Sequence, residues 1–341
     1  MIEKSAKRIE YIDTLRGLAT LYVMMVHSGY YISFFSVFVV EEIAIFFFVS
    51  GLVLKCENVK NFLYNRVLKL LVCYIVIAYF DTIVNVSAIK SIIAKPSVIF
   101  TIIGQCTRNV IVGEAVWFVP TLIVLTVFSY AIVHAFEYLK IDIVWSLFFS
   151  TLISVVTFYF AITSGSHLPW YIDTAAINQV FMVLGYVAIK KGWINILSNS
   201  KLFLPIMLVL YIPLLILNYN GMGYPGSNKR MNAYPNIFVY IVMSVFFILL
   251  FMAVSMRFKR IPLVTFMGRH SLIYFVFGGH AYIIPEHILD YFGINLNEVV
   301  RMLICSFSAC LIWIPFCIII DKVFPILNGQ IKLPQLRERN L

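Results

Sequence analysis

Apolar residues run through this chain in ten long blocks, at 14–33, 37–54, 68–88, 116–136, 144–162, 174–189, 202–218, 237–256, 270–288 and 299–320. Each is close to the length a helix needs to cross a bilayer. The polar stretches between them are short. The longest, 89–115 and 219–236, leave no room for a soluble domain. Segment 97–111 is apolar but short and carries Gln105 and Arg108, which predicts an interfacial or re-entrant helix. The pattern predicts an all-α integral membrane fold of about ten transmembrane helices in one polytopic domain over 1–341. No internal repeat of the kind found in inverted-repeat transporters is visible.

Charge gives this pattern a direction. With the N-terminus in the cytoplasm, the outer segments hold Lys90, Lys95, Arg108, Lys229, Arg230 and Arg301, and the inner ones hold the other 20 of the 26 Lys and Arg. That asymmetry predicts both termini cytoplasmic, with the tail from about 322 to 341 inside. Composition agrees with a membrane chain: 62% hydrophobic, 12% charged and a mean hydropathy of +0.93. The net charge of +10 is explained by anchoring beside anionic lipid and calls for no nucleic acid. The six cysteines lie mostly inside apolar runs with no C-x-x-C pair and no metal spacing, so neither a disulfide frame nor a metal site is expected. The first apolar run is long and lacks a small-residue cleavage site, so it is expected to stay as a helix.

The first block also carries the most costly polar groups. Asp13, Arg16 and His27 sit in D-T-L-R-G-L-A-T-L-Y-V-M-M-V-H. Eleven helical residues bring Arg16 and His27 to within about 20° of the same face, with a rise of about 16 Å. With Arg16 at the membrane surface, His27 lies near the midplane, where an ionisable side chain marks a cavity or path. The simpler reading is a neutral imidazole bonded to a neighbouring helix. Asp13 is placed to pair with Arg16. In the second block, Glu41 and Glu42 are adjacent and face different ways, so one of them is available to a cavity. The pair Ser50-Gly51 suits close helix packing. Arg66 and Lys69, three apart, form a cationic face at the start of the third block, for anchoring or for phosphate. Trp170 and Tyr171 fall in an outer loop, as an interfacial belt or as a stacking platform for a sugar.

Taken in order, these features resemble the membrane acyltransferase-3 family, bacterial enzymes that O-acetylate surface polysaccharides and related glycans. D-x-x-R-G-x-A with a His beyond it matches the first helix of that family. Phe47-Phe48-Val49-Ser50-Gly51, with Phe46 before it, matches F-F-x-x-S-G, Arg66 with Lys69 matches R-x-x-R, Trp117-Phe118 matches a W-F pair, and Gly268-Arg269-His270-Ser271-Leu272-Ile273-Tyr274 matches a late motif that ends near a His. Lys69 replaces an Arg, Val72 stands where a Pro is usual, and His280 lies farther along than the usual His. The resemblance covers the whole chain and is to the stand-alone members of the family.

The resemblance implies a bacterial inner-membrane enzyme that takes acetyl-CoA, as acyl-donor co-substrate, from the cytoplasm. The acceptor is a hydroxyl of a surface glycan or lipid-linked sugar, and no metal is needed. His27 is the candidate base, with Asp13 and Glu42 as its companions in the catalytic set. Arg16, Arg66 and Lys69 are candidates for the CoA phosphates, with Arg257, Lys259, Arg260 and Arg269 as a secondary set. Trp117, Trp170, Tyr171 and His280 are candidates for the acceptor. The alternative is a transporter or flippase for a glycan or its precursor. Composition alone leaves that open, since buried His and Glu with basic inner loops suit it too.

Overall fold

The structure, a computed structural model, describes residues 9–27, 42–84, 86–164, 168–219 and 236–328. Those residues form helices and short connections, with no strand among them. The α-helices are α1 (Glu10–His27), α2 (Glu42–Leu52), α3 (Val59–Phe62), α4 (Leu68–Val84), α5 (Val86–Ala94), α6 (Val98–Val112), α7 (Phe118–Tyr138) and α8 (Trp145–Ser164). They continue with α9 (Ile172–Lys190), α10 (Trp193–Asn199), α11 (Phe203–Tyr219), α12 (Ile237–Phe258), α13 (Pro262–Arg269), α14 (Ser271–Phe277), α15 (Ile283–Tyr291) and α16 (Glu298–Val323). A π-turn, Leu63–Val67, joins α3 to α4. Three helices start on asparagine caps that accept backbone N–H groups: Asn58 for α3, Asn236 for α12 and Asn297 for α16. Asparagine serves there because its short side chain satisfies donors that a helix start leaves open.

Among the described residues five helices are long and apolar enough to cross a membrane, or seven if each of two bent pairs is one span. The blocks at 116–136, 144–162, 174–189, 202–218, 237–256 and 299–320 each become one helix of matching extent. Block 68–88 becomes α4 running into α5 with a bend of 57°, and the short helix α6 stands where the 97–111 segment predicted it. Block 270–288 differs from expectation. It is broken into α14, a 3-10 turn at Gly278–Tyr282 and α15. The paired Gly278-Gly279 and the later Pro285 weaken a continuous α-helix there. α1 is 18 residues long but carries Glu10, Asp13 and Arg16, which raises the cost of a simple lipid-facing span.

Two apolar cores flank α1. Leu15, Ala19 and Val23 join the larger one, with α2 and α7 through α12. Met24 joins the smaller one, with Cys73, Ile77, Tyr274, Phe277 and Cys310. Within the larger core α9 is the hub. Of its apolar stretch, 83% is buried, against 22% for α8, although the mean hydropathies are 1.5 and 1.8. The difference lies in partners, since α9 packs against α2, α7 and α8 at once. Thr174, Asn178 and Gln179 of α9 are buried; Asn178 accepts from Tyr240 of α12, and Gln179 donates to the Ser150 carbonyl of α8 at 2.7 Å. Such bonds join helices where lipid competes poorly for polar groups.

Candidate functional site

Two glycine contacts set the site. Gly17 of α1 lies directly on the backbone of α13: a Cβ built on it would sit 1.8 Å from the Val264 carbonyl oxygen. Gly268 of α13 returns the contact, with a Cβ position 1.7 Å from the Asp13 carbonyl oxygen. Gly51 of α2 and Gly185 of α9 form the second such pair, each against the other helix's backbone. Side chains are excluded at all four points, so the helices approach to backbone contact. The residues immediately before the first of each pair, Arg16 and Ser50, are thereby carried to fixed positions.

Those positions meet. A cavity of about 390 Å³ is lined by Arg16, Ser50, Arg66 and Lys69, together with Asn65 and Thr126 and apolar residues that include Leu54, Leu70 and Met182. Its volume falls in the range of small-molecule sites, which is roughly 300–1,000 Å³. Three cations and no carboxylate line it. Arg66 donates one N–H of its guanidinium to the Val53 carbonyl, at the C-terminal end of α2, where helix carbonyls lack intrahelical partners. A guanidinium has five donors, so Arg66 both ties down α2 and faces the cavity.

The loop 53–58 that walls the cavity is pinned from α7. Tyr130 donates to the Glu57 carbonyl, and its ring stacks on Phe62 with centroids 3.7 Å apart. Cys56 Sγ lies 3.3 Å from His134 Nδ1. Burial and the neighbouring Glu137 carboxylate push the Cys56 thiol up to about 11, so this sulfur is a structural contact at neutral pH.

The far end of α1 is different. His27 is exposed, at the last described residue of the helix, whereas its place in the sequence led us to expect a face turned to a cavity. Its Nδ1 lies 2.8 Å from the Val23 carbonyl. A carbonyl only accepts, so Nδ1 carries the hydrogen, which leaves Nε2 as the basic nitrogen of a neutral ring. Glu42 opens α2 and is buried, while Glu41 lies outside the described residues. Arg16 of α1 and Ser50 near the end of α2 share a cavity, and Glu42 lies eight residues or about 12 Å along α2 from Ser50.

Asp13 is buried and takes Arg269 of α13 as an ion-pair partner, Oδ2 to Nε 3.3 Å. Helical periodicity points to Arg16 on its own helix; Arg269 is a partner from a different one. Next to Arg269, His270 is buried between two acceptors: Nδ1 lies 2.9 Å from the Phe266 carbonyl and Nε2 2.7 Å from Asp321 Oδ2. Asn328 donates to the other oxygen of Asp321 at 2.8 Å. Thr14 adds bonds to Thr265 and to the Lys259 carbonyl, at 2.9 and 2.8 Å. This network locks the first half of α1 onto α13 and the end of α16.

Of the expected acceptor residues, Trp117, Trp170 and Tyr171 gather at one place. Trp117 and Tyr171 have ring centroids 5.8 Å apart. Tyr171 is buried and donates to Glu114 at 2.8 Å, and the Trp170 indole donates to the Ile111 carbonyl at 2.8 Å. Val116, Trp170 and Tyr171 all hold left-handed backbone angles, with φ of 46°, 60° and 53°, a strain that the surrounding packing must sustain. Tyr171 is thus a packed anchor rather than an open stacking face; Trp117 and Trp170 are half-buried. His280 lies in the 3-10 turn Gly278–Tyr282, and its side chain is outside what the structure describes.

A family model described as "Acyltransferase domain" (acyltransferase-3) matches residues 9–320. The chain belongs to the acyltransferase-3 family. No curated protein and no solved structure matches it. The family match and the apolar helices together make the chain a membrane acyltransferase.

Within this acyltransferase-3 domain three motifs couple close helix packing to a polar neighbour. Arg16-Gly17 and Ser50-Gly51 each join a cavity residue to a glycine that fixes it. Gly268-Arg269-His270 joins a glycine contact to two residues that bond carboxylates, Asp13 and Asp321. Ser50 had been read for packing alone, and Asp321, the partner of His270, was passed over. An acid at the end of the apolar 299–320 run was its signal. Asn65 and Thr126 reach the cavity from the turn before α4 and from α7, which no local pattern announces.

Proposed function

We propose that the chain transfers an acyl group, most simply acetyl, from cytoplasmic acyl-CoA to a hydroxyl of a surface glycan or lipid-linked sugar, across a bundle of ten spans with both termini cytoplasmic in a bacterial inner membrane. The observation that carries the donor half is the shared cavity of Arg16, Arg66 and Lys69. Three cations on three helical segments suit the phosphates of CoA, and guanidiniums bind phosphate through paired hydrogen bonds. The apolar wall suits the pantetheine arm.

The reaction then runs toward the His27 end of α1. His27 Nε2 removes the proton of the acceptor hydroxyl as its oxygen attacks the thioester carbonyl. The carbon–sulfur bond breaks, and the CoA sulfur takes that proton from the imidazolium on leaving. Glu42, buried at the start of α2, steadies the imidazolium charge, and Asp13 acts by holding α1 in place through Arg269. Trp117 and Trp170 offer ring faces to the acceptor, while Tyr171 supports them. A base of this type contributes roughly 10²- to 10⁴-fold to rate. The test is thiol release from acetyl-CoA by purified protein supplied with a crude glycan extract, wild type beside His27→Ala. Release by wild type alone supports the reading; equal release by both removes His27 from the chemistry.

A further inference from the structure

Arg257 and Lys259 entered the sequence reading as spare donor cations, but they line a different cavity, which shares no residue with the one around Arg16. It has a volume of about 700 Å³ and lies where the α10–α11 pair, bent by 95°, meets the end of α12. Lys201, Arg257 and Lys259 supply its charge, and Leu204, Leu208 and Met256 its apolar lining. No acid lines it. None of the three cations has an ion-pair partner among the described residues.

We infer that this cavity binds the phosphate headgroup of an anionic phospholipid, a site separate from donor binding. Three further observations favour a lipid over a free anion. The charged rim sits at the ends of two apolar helices, the level at which headgroups lie. Ile206, Val209 and Ile216 of α11 are exposed along one face leading away from the rim, a track for acyl chains. The rim is also built rather than loose: Lys259 holds a left-handed backbone, φ 29°, and its carbonyl accepts from the buried Thr14 of α1 at 2.8 Å. A cation near the membrane surface adds about a fivefold preference for anionic lipid.

The test is native mass spectrometry of the full chain with added phosphatidylglycerol or phosphatidylcholine. Wild type is expected to retain phosphatidylglycerol preferentially. Arg257→Gln with Lys259→Gln should weaken that retention about 25-fold, while Lys90→Gln with Lys95→Gln, cations elsewhere on the surface, should not. Lys201→Gln alone, outside any helix, should weaken it about fivefold and stands in if the double variant misfolds. Equal retention of the two lipids, or equal loss in the control pair, overturns the proposal. So does displacement of the lipid by soluble glycerol 3-phosphate, which would make this a free-phosphate site. Loss of acetyl-CoA turnover in His27→Ala has no bearing on any of these outcomes.

Discussion

The two ends of α1 are built in opposite ways. At the Arg16 end the helix is locked: Gly17 lies on the backbone of α13, Asp13 pairs with Arg269, and Thr14 bonds to Thr265. At the His27 end the helix is open, and its imidazole is held by its own helix through Val23. Eleven residues, about 16 Å, separate them. A locked cationic pocket suits a donor that must be bound in one pose. An exposed base with Nε2 free of its own helix suits an acceptor that arrives from elsewhere. The proposed function places binding and chemistry at different ends of one helix, and each is open to perturbation without the other.

The largest effect should come from what both ends share. Gly17→Leu forces a side chain into the Val264 carbonyl and should unseat α1. Overpacking of this kind costs about 1–3 kcal/mol or more, and the expected result is loss of the monodisperse peak in size-exclusion chromatography together with all turnover. Full activity would mean that the α1–α13 contact does not position either end.

Arg66→Ala should next weaken acyl-CoA binding by roughly 10- to 100-fold, the worth of one charge-assisted hydrogen bond, measured as KM. Arg66→Lys should recover part of it, because charge returns without the planar fork. A drop in melting temperature with unchanged KM would leave Arg66 only its structural bond to Val53. Asp321→Asn removes the anion beside His270 but keeps the shape. Asp321 is about one-third exposed, so solvent screens the pair, and a cost of about 1 kcal/mol is expected. It should appear as a lower melting temperature with donor KM unchanged; altered KM would extend the donor site to α16.

The smallest effect concerns Cys56. A thiol pushed up to about 11 is almost wholly protonated at neutral pH, and the thiolate is the reactive form. Alkylation of Cys56, read by mass spectrometry, should therefore be slow at pH 7 and rise with pH toward 11. Fast labelling at pH 7 would mean that the loop 53–58 opens away from Glu137 and the donor cavity is looser than described.

Most helices were legible in the sequence, because apolar blocks of membrane length leave few alternatives. The break in 270–288 was not, since two glycines and a proline weaken a helix without specifying where it bends. At the site, Arg16, Arg66 and Lys69 were grouped before the fold was known, and one cavity does gather them. Spacing on a single helix decided less well between helices. Periodicity could offer Asp13 only a partner on its own helix, while Arg269, 256 residues away, reaches it through tertiary packing. Burial was hardest to read: Tyr171, which fits a belt or a platform by sequence, is buried, and His27, whose depth suggests a cavity or path, is exposed. Hydropathy patterns report length and composition, and neither determines which side of a helix meets a neighbour.

The most direct test is calorimetric titration of acyl-CoA into purified wild type, Arg16→Ala and His27→Ala, paired with thiol release from the same preparations. The account predicts a crossed result. Arg16→Ala loses affinity and regains rate at saturating donor. His27→Ala keeps wild-type affinity and loses turnover at any donor concentration. If both substitutions weaken binding alike, or if His27→Ala turns over normally, the division of α1 into a donor end and a chemical end is contradicted.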